Sequence, residues 1–287
     1  MSQQPELDQF FCELPSLRFK SVYNHDFWRK NDPRIDSAHI HNCFEIYVNL
    51  SGNVSFLVNQ NVYRIQPGDV ILTEPGTVHH CIYNEDCLHE HSCLWFDAEE
   101  RSAIPRYLRD HQLFGHVRLH ERAAREAVAL MRRLSDGGNA DTGLSHTFAF
   151  VRILELLATQ RETVDTENED LPVQFREIMR YVNENFTQIA CVEDVTSKFF
   201  VSTSTLNRCF RRYINLSFHQ FLKAKKIAYA ERLLKEGRSV TEACYLSGFA
   251  DCSHFISFFK GKYGYTPLQY KKRYDRSNRE ALDPIDM

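Results

Sequence analysis

Between residues 39 and 96 the apolar positions recur every second residue. The run Cys43–Leu50 puts Phe44, Ile46, Val48 and Leu50 on one face, the pattern of a half-buried strand. Ser51-Gly52 ends it. Val54–Val58 and Val62–Ile65 flank Asn59-Gln60-Asn61, a hairpin turn by composition. Pro67-Gly68-Asp69 and Pro75-Gly76 turn the chain again, before further strands at Val78–Tyr83 and His89–Phe96. Short strands punctuated in this way predict an antiparallel barrel or sandwich.

From about residue 100 the period lengthens. Ala124, Val128, Met131 and Leu134 share one face of a helix over Glu121–Leu134, which Ser135-Asp136-Gly137-Gly138-Asn139 stops. Phe148, Val151, Leu154, Leu157 and Ala158 do the same over Leu144–Arg161. Such stripes pack on the strands, on each other or on a second subunit. Residues 162–170 are polar and acidic and read as a linker. Everything after them is helical: Val173–Phe186, Val192–Phe199, Ser202–Tyr213, Phe218–Lys235, Ser239–Leu246, Asp251–Tyr263 and a last helix opened by Pro267.

Charge changes the picture at this boundary. The 287 residues, 43% hydrophobic and 25% charged, exclude a disordered or collagen-like chain and suggest about two domains. The net charge of -3 taken whole weighs against a nucleic-acid partner. Residues 1–170, however, carry 16 Lys and Arg against 26 Asp and Glu, a net of -10, and residues 171–287 carry 19 against 12, a net of +7. Eleven of the 13 histidines lie in the acidic part. An acidic module is thus joined to one suited to a polyanion. No run is long and apolar enough for a membrane span, and the N-terminus lacks the basic and apolar regions of a signal peptide. Nine scattered cysteines fit buried thiols better than disulfides, and the chain reads as cytoplasmic.

In the basic half two pairs of short helices, each with a tight turn, form two helix-turn-helix units. Ser202 or Thr203 can cap the second helix of the first pair, which presents Ser204, Asn207, Arg208 and Arg211 outward while Leu206 and Phe210 turn inward. Asp251 can cap the second helix of the other pair, leaving Cys252, Ser253, His254, Ser257 and Lys260 outside and Phe255, Phe258 and Phe259 inside. Small polar and basic side chains near a helix N-terminus are what reading a DNA major groove requires. The connecting helix, Ser217–Glu236, spans about 30 Å at 1.5 Å per residue, close to the roughly 34 Å between successive major-groove faces. A plain helical bundle with a solvated basic face is the simpler alternative.

Residues 173–274 resemble the DNA-binding domain of the AraC/XylS family of bacterial transcription regulators. The resemblance rests on Val201–Tyr213, on Ser247–Lys260 and on the closing run Tyr263-Gly264-Tyr265-Thr266-Pro267-Leu268-Gln269-Tyr270. The chain departs from the family at Thr196 and Cys244, where alanine is usual, and at Asn215, where glycine is usual. The resemblance implies double-stranded DNA as partner and bases read by Ser204, Asn207 and Arg208 and by Cys252, Ser253, His254 and Ser257. Thr203, Arg211 and Lys260 complete the expected DNA-binding set.

In the acidic half, His39, His41 and Glu45 are all odd-numbered and fall on the strand face opposite the apolar one. With Gly52, Gly68, Pro75-Gly76 and His79 they resemble the two cupin motifs, and cupins are small β-barrels. The second motif departs at Glu74 and Asn84. Three imidazoles and a carboxylate suit a divalent transition metal, so His39, His41, Glu45 and His79 are the candidate ligands. His79, Cys81 and Tyr83 share one strand face, and His89, His91 and Cys93 another. With Tyr47 these groups form a candidate effector pocket: His39, His41, Glu45, Tyr47, His79, Cys81, His89 and His91.

The expected fold is α+β and multidomain, with an N-terminal cupin-like antiparallel β-barrel and helical segment and a C-terminal all-α domain of two helix-turn-helix units. The expected division is 1–100 barrel, 101–162 helical dimerisation segment, 163–171 linker, 172–275 DNA-binding domain and 276–287 tail. The expected function is a non-enzymatic regulator, an activator sensing a sugar or related metabolite and acting as a homodimer. A metal-dependent cupin enzyme, a metal-sensing regulator and a cysteine redox sensor using Cys81, Cys87 and Cys93 are the alternatives.

Overall fold

A computed structural model describes residues 18–30, 38–98, 102–135, 142–162 and 171–277. Residues 163–170 of the expected linker, 136–139 of the stop after the first helical stripe and most of the tail lie outside the described residues, while Leu171 is buried in the core of the helical part. The described residues of the N-terminal part hold eight strands: β1 Arg18–Trp28, β2 Phe44–Ser51, β3 Val54–Val58, β4 Asn61–Ile65, β5 Val70–Thr73, β6 His79–Tyr83, β7 Cys87–Asp97 and β8 Gly115–Val117. Helices α1 Ala103–Asp110, α2 Glu121–Ser135 and α3 Thr142–Thr159 follow or interrupt them.

These strands do not close into the expected cupin-like barrel. They form two open sheets, one of order β1-β7-β2-β5-β8 and one of order β4-β3-β6. The unit is a mixed α/β domain, because α1–α3 cover the outer face of the larger sheet. Phe44, Ile46, Val48, Leu94 and Phe96 share one buried cluster with Met131, Phe150, Ile153 and Leu157 of the helices. The opposite face buries Tyr47, Ile71, Cys93 and Trp95 against Val54, Phe56 and Val58 of the smaller sheet. Two-residue alternation says which side chains share a face, and it is identical for a sandwich and a barrel. Closure depends on stagger between strands, which alternation does not encode.

The C-terminal part is all-helical: α4 Val173–Asn185, α5 Glu193–Phe199, α6 Thr203–Ile214, α7 Phe218–Lys235, α8 Val240–Leu246, α9 Cys252–Tyr263 and α10 Pro267–Ser277. Caps set these boundaries. Ser202 accepts from the Thr205 amide, Asp251 from the His254 amide, and Ser217 and Ser239 form reciprocal capping boxes with Gln220 and Glu242. Asn215 ends α6 at φ 59, a left-handed position that asparagine tolerates. Gly248 stands in the α8–α9 turn at φ +84, where an added Cβ would lie 2.2 Å from the Thr187 carbonyl oxygen. Only glycine fits there, so the second turn is seated against the main chain that enters the first unit.

The two parts touch. Ala38, Ile40, Leu57, Val62 and Val78 belong to the same buried cluster as Phe175, Phe210, Phe218 and Leu222. The Ala38 amide donates to the Ile214 carbonyl at 3.0 Å.

Candidate functional site

α6 and α9 are the second helices of the two helix-turn-helix units. On α6, Thr203, Ser204, Arg208 and Arg211 are exposed. On α9, Ser253, His254, Ser257 and Lys260 are exposed and Cys252 is half-buried. Asn207 differs from its expected role. Its Nδ2 donates to the Thr203 carbonyl at 3.1 Å and its Oδ1 accepts from the Phe218 amide at 3.1 Å, so the amide is engaged in the α6–α7 joint. Phe258, expected inside, is half-buried, with the Lys223 ammonium 5.1 Å from its ring centroid. Lys223 also lies 3.4 Å from His254 Nε2, which adds a cation beside α9 that the helix-by-helix reading missed.

Beneath this surface α7 carries charged groups that face inward. Lys226 Nζ donates to the Ile189 carbonyl at 2.7 Å and the Gly248 carbonyl at 2.8 Å. Lys225 donates to Asn183 Oδ1 at 2.8 Å, and burial lowers its pKa to about 8. Glu231 is 6% exposed. It accepts from Tyr263 at 2.6 Å, Tyr270 at 2.5 Å and Asn42 at 2.8 Å, and lies 3.3 Å from Lys235. Burial alone would raise its carboxyl, but Lys235 and these donors outweigh it and hold the pKa down.

In the sandwich the residues expected to form one pocket divide into two neighbouring clusters. The first is His39, His41, Glu45 and His79, whose nearest ligand atoms all lie within 4.8 Å of one another. His41 Nε2 and His79 Nε2 are each 2.8 Å from Glu45 Oε2. His79 is 1% exposed, and its Nδ1 lies 3.0 Å from the Thr77 carbonyl. Burial would raise the Glu45 carboxyl, yet the two histidines hold it well below the usual range. His39 stands at the open edge of the cluster. Desolvation by the surrounding protein, with His79 nearby, lowers its pKa to about 3. These four groups can coordinate a divalent metal.

The second cluster is Tyr47, His89 and His91 with Tyr83. The Tyr47 and Tyr83 hydroxyls meet His89 Nε2 at 2.8 Å and Nδ1 at 3.1 Å, and His91 stacks 4.6 Å from His89. Burial lowers His89 to about 3 and His91 to about 4, so both rings are neutral at pH 7. Cys81 lies between Tyr47 and Tyr83; burial raises its thiol to about 12 and pushes Cys93 well above its usual value. Protonated thiols are poor redox nucleophiles, which argues against Cys81 and Cys93 as redox sensors. The eight described cysteines are all free. Asn49, which the pattern did not single out, is fully buried with both amide atoms lacking a hydrogen-bond partner, and His91 Nδ1 shares that condition.

Elsewhere Asp69 is buried under Arg118, at 2.8 and 2.6 Å, and His116, at 3.0 Å. It pins the turn before β5 to β8. The apolar stripes of α2 and α3 are mostly consumed by the sheet, leaving Leu144 at 82% and Phe148 at 64% exposure. Among the described residues no helix is long and apolar enough to cross a membrane.

Paired helix-turn-helix units on a basic helical domain, carried by a sandwich with a polar interior, define a DNA-binding transcription regulator with a ligand-binding domain. Residues 25–150 match the profile described as the AraC-like ligand binding domain, and residues 195–273 match a helix-turn-helix domain. The chain belongs to the AraC/XylS family of transcription regulators, and nothing in that assignment calls for catalysis. It is 26% identical over 259 residues to the HTH-type transcriptional activator RhaS of Salmonella arizonae, covering 85% of this chain and 92% of the relative. RhaS of Salmonella typhimurium is 26% identical over 258 residues, with the same coverage. Among solved structures, ToxT from Vibrio cholerae superposes with a TM-score of 0.37 at 15% identity, over 90% of this chain and 98% of that one.

Proposed function

We propose that this protein is a cytoplasmic, effector-responsive transcription activator that binds DNA as a homodimer and senses a small, hydroxyl-rich molecule, a sugar or related metabolite, inside the sandwich. The Asn49 amide and His91 Nδ1 carry this reading. Buried polar atoms without partners are costly, and they are expected where a ligand or ordered water completes them. Tyr47, Tyr83, His89 and His91 supply ring faces and hydrogen-bonding edges around them, the combination that suits a molecule with both C–H faces and hydroxyls. The activator character follows that of the relatives, the HTH-type transcriptional activators RhaS.

DNA reading is assigned to Thr203, Ser204, Arg208 and Arg211 on α6 and to Cys252, Ser253, His254, Ser257 and Lys260 on α9, with Asn207 supporting the first set from the joint. The domain division expected from the sequence is retained as part of the proposal, with the two-sheet sandwich in place of the barrel. The dimer contact is assigned to the edge of α3 at Leu144 and Phe148, four residues apart on one helix face.

A thermal-shift screen of the full-length protein against sugars and related polar metabolites tests the effector assignment. One class should raise the melting temperature of the wild type and not of Asn49→Leu. A hit that stabilises both equally moves the pocket elsewhere.

A further inference from the structure

Two thiols meet inside the second helix-turn-helix unit. Cys244 lies in α8, and Cys252 is the first residue of α9, eight positions later. Cys244 is fully buried in the core formed with Ala243, Phe249, Phe255 and Phe259, and Cys252 packs half-buried against the same core. The Cys244 thiol donates a hydrogen bond to the Cys252 sulfur, and the Tyr245 hydroxyl donates to that sulfur as well. Both cysteines are free. Cys244 is also the α8 position at which the chain departs from its family's usual alanine, so the pair is a feature of this chain rather than of the fold.

The two sulfurs are not equivalent. Cys252 is the one that a small oxidant reaches from solvent. Cys244 is sealed, and burial, followed by its bond to Cys252, pushes its thiol up to about 12, so it does not react first. It is placed to react second. A thiol held in contact with an oxidised neighbour gains the advantage of proximity, which offsets a small thiolate fraction. The main chain on the α8 side is fixed. The Cys244 carbonyl accepts from the Phe249 amide at 3.1 Å and from Ser247 Oγ at 3.0 Å, and Lys226 holds the Gly248 carbonyl at 2.8 Å. On the other side is the first turn of α9, capped by the exposed Asp251, which accepts from the His254 amide at 2.7 Å. Closing the sulfurs to a bond of about 2.05 Å therefore falls to that turn, which carries Ser253 and His254.

We propose that Cys252 and Cys244 are a reversible oxidation site, at which a hydroperoxide converts the pair to a disulfide and draws the start of α9 away from DNA. The Cys252 thiolate attacks one peroxide oxygen, forming the sulfenic acid and releasing the other oxygen as hydroxide or alkoxide. The Cys244 sulfur then attacks the Cys252 sulfur, and the Cys244 proton leaves with the displaced hydroxyl as water. Two electrons pass from the thiols to the peroxide, and a dithiol reductant returns them. Transient, sensing disulfides are the kind that a reducing compartment permits. The bond takes the Cys252 sulfur from Tyr245 and pulls the first turn of α9 toward α8. The effect on DNA rests on the proposed reading role of α9, whereas the oxidation itself does not.

The test uses the full-length protein, reduced and then treated briefly with hydrogen peroxide, and an operator duplex that the reduced protein selects from genomic fragments. Trypsin releases residues 239–260 as one peptide holding Cys244 and Cys252 and no other cysteine. Mass spectrometry should find it lighter by two hydrogen atoms after peroxide and restored by dithiothreitol. Affinity for the operator should fall about tenfold, the scale of one lost base-edge contact, and recover on reduction. Cys244→Ala should bind the operator like the reduced wild type and keep that affinity after peroxide. Cys244→Ser, closer in size, gives the same comparison if the alanine variant melts early. A peptide that gains no internal disulfide would overturn the site. A disulfide that leaves DNA affinity unchanged or raises it, or an equal peroxide loss in Cys244→Ala and Cys244→Ser, would overturn the switch. A reduced protein that selects no DNA would instead sink the reading role of α6 and α9, and the peptide would still decide the thiol pair.

Discussion

The Lys226 ammonium donates to the Gly248 carbonyl at 2.8 Å, and the same nitrogen reaches the Ile189 carbonyl at 2.7 Å. One buried side chain of the connecting helix therefore ties the turn of the second helix-turn-helix unit to the loop that enters the first. Lys226→Met keeps the apolar stem and removes the donor, leaving two carbonyls unpaired. The expected loss of stability is about 1–3 kcal/mol per buried unpaired group, read by urea denaturation. Binding to an operator with both half-sites should weaken more than binding to one half-site alone, because the relative pose of α6 and α9 is what loosens.

Arg208 is exposed midway along α6, and Asn207 is occupied by the joint with α7. Arg208→Ala should cost about 1–3 kcal/mol of specific DNA binding and relax the preference at one base pair. Asn207→Ala should instead lower the melting temperature, since the Phe218 amide loses its acceptor, while base preference is retained. Quantitative binding across single-base operator variants separates the two. A changed base preference in Asn207→Ala would return that residue to the reading set.

The neutral burial of His89 and His91 makes stability depend on pH. Their folded pKa values, about 3 and about 4, lie below the value near 6.5 of a free histidine. Protons then bind the unfolded chain first. The stabilisation is full above about pH 6.5 and is lost as pH falls toward the folded values, by at most about 1.4 kcal/mol per pH unit for each histidine. Urea midpoints measured from pH 7.5 to 5 should decline, and His89→Gln should flatten the decline. A flat wild-type profile would mean that the rings take up protons without leaving their sites.

Leu144 and Phe148 remain exposed after the rest of the α3 stripe is buried on the sheet. Leu144→Glu should shift the protein from dimer to monomer in sedimentation velocity at micromolar concentration without changing its melting temperature by more than a degree or two. A dimer that survives the substitution places the interface elsewhere.

The C-terminal half was the more legible part because its boundaries are written in local chemistry. Ser202 and Asp251 act as caps where the pattern put them, and Phe218–Lys235 forms over the predicted range. The N-terminal half was legible strand by strand but not in its assembly. β1 was missed: Arg18–Trp28 is an edge strand with Lys20, Asn24, His25 and Asp26 interspersed, so it lacks a clean apolar face, and it is defined instead by pairing with β7 along its whole length. β8 is three residues, too short to carry a period. The histidine cluster was legible although residues 38–43 precede β2 rather than belong to it: His39 makes an isolated bridge to His79, and Pro75-Gly76 brings the chain back. Its link to Glu231 was not, since nothing local connects Asn42 to a residue 189 positions away.

The clamp that Lys226 and Gly248 place between the two units has a consequence for the DNA itself. With α6 and α9 fixed on one 18-residue helix, the operator blocks they read must fall on the same side of the duplex, in helical phase. Inserting about 5 base pairs between the blocks rotates the second by half of a 10–10.5 base-pair turn, out of reach of α9. Inserting a full turn restores the side but exceeds the span of α7, so neither spacing should be tolerated.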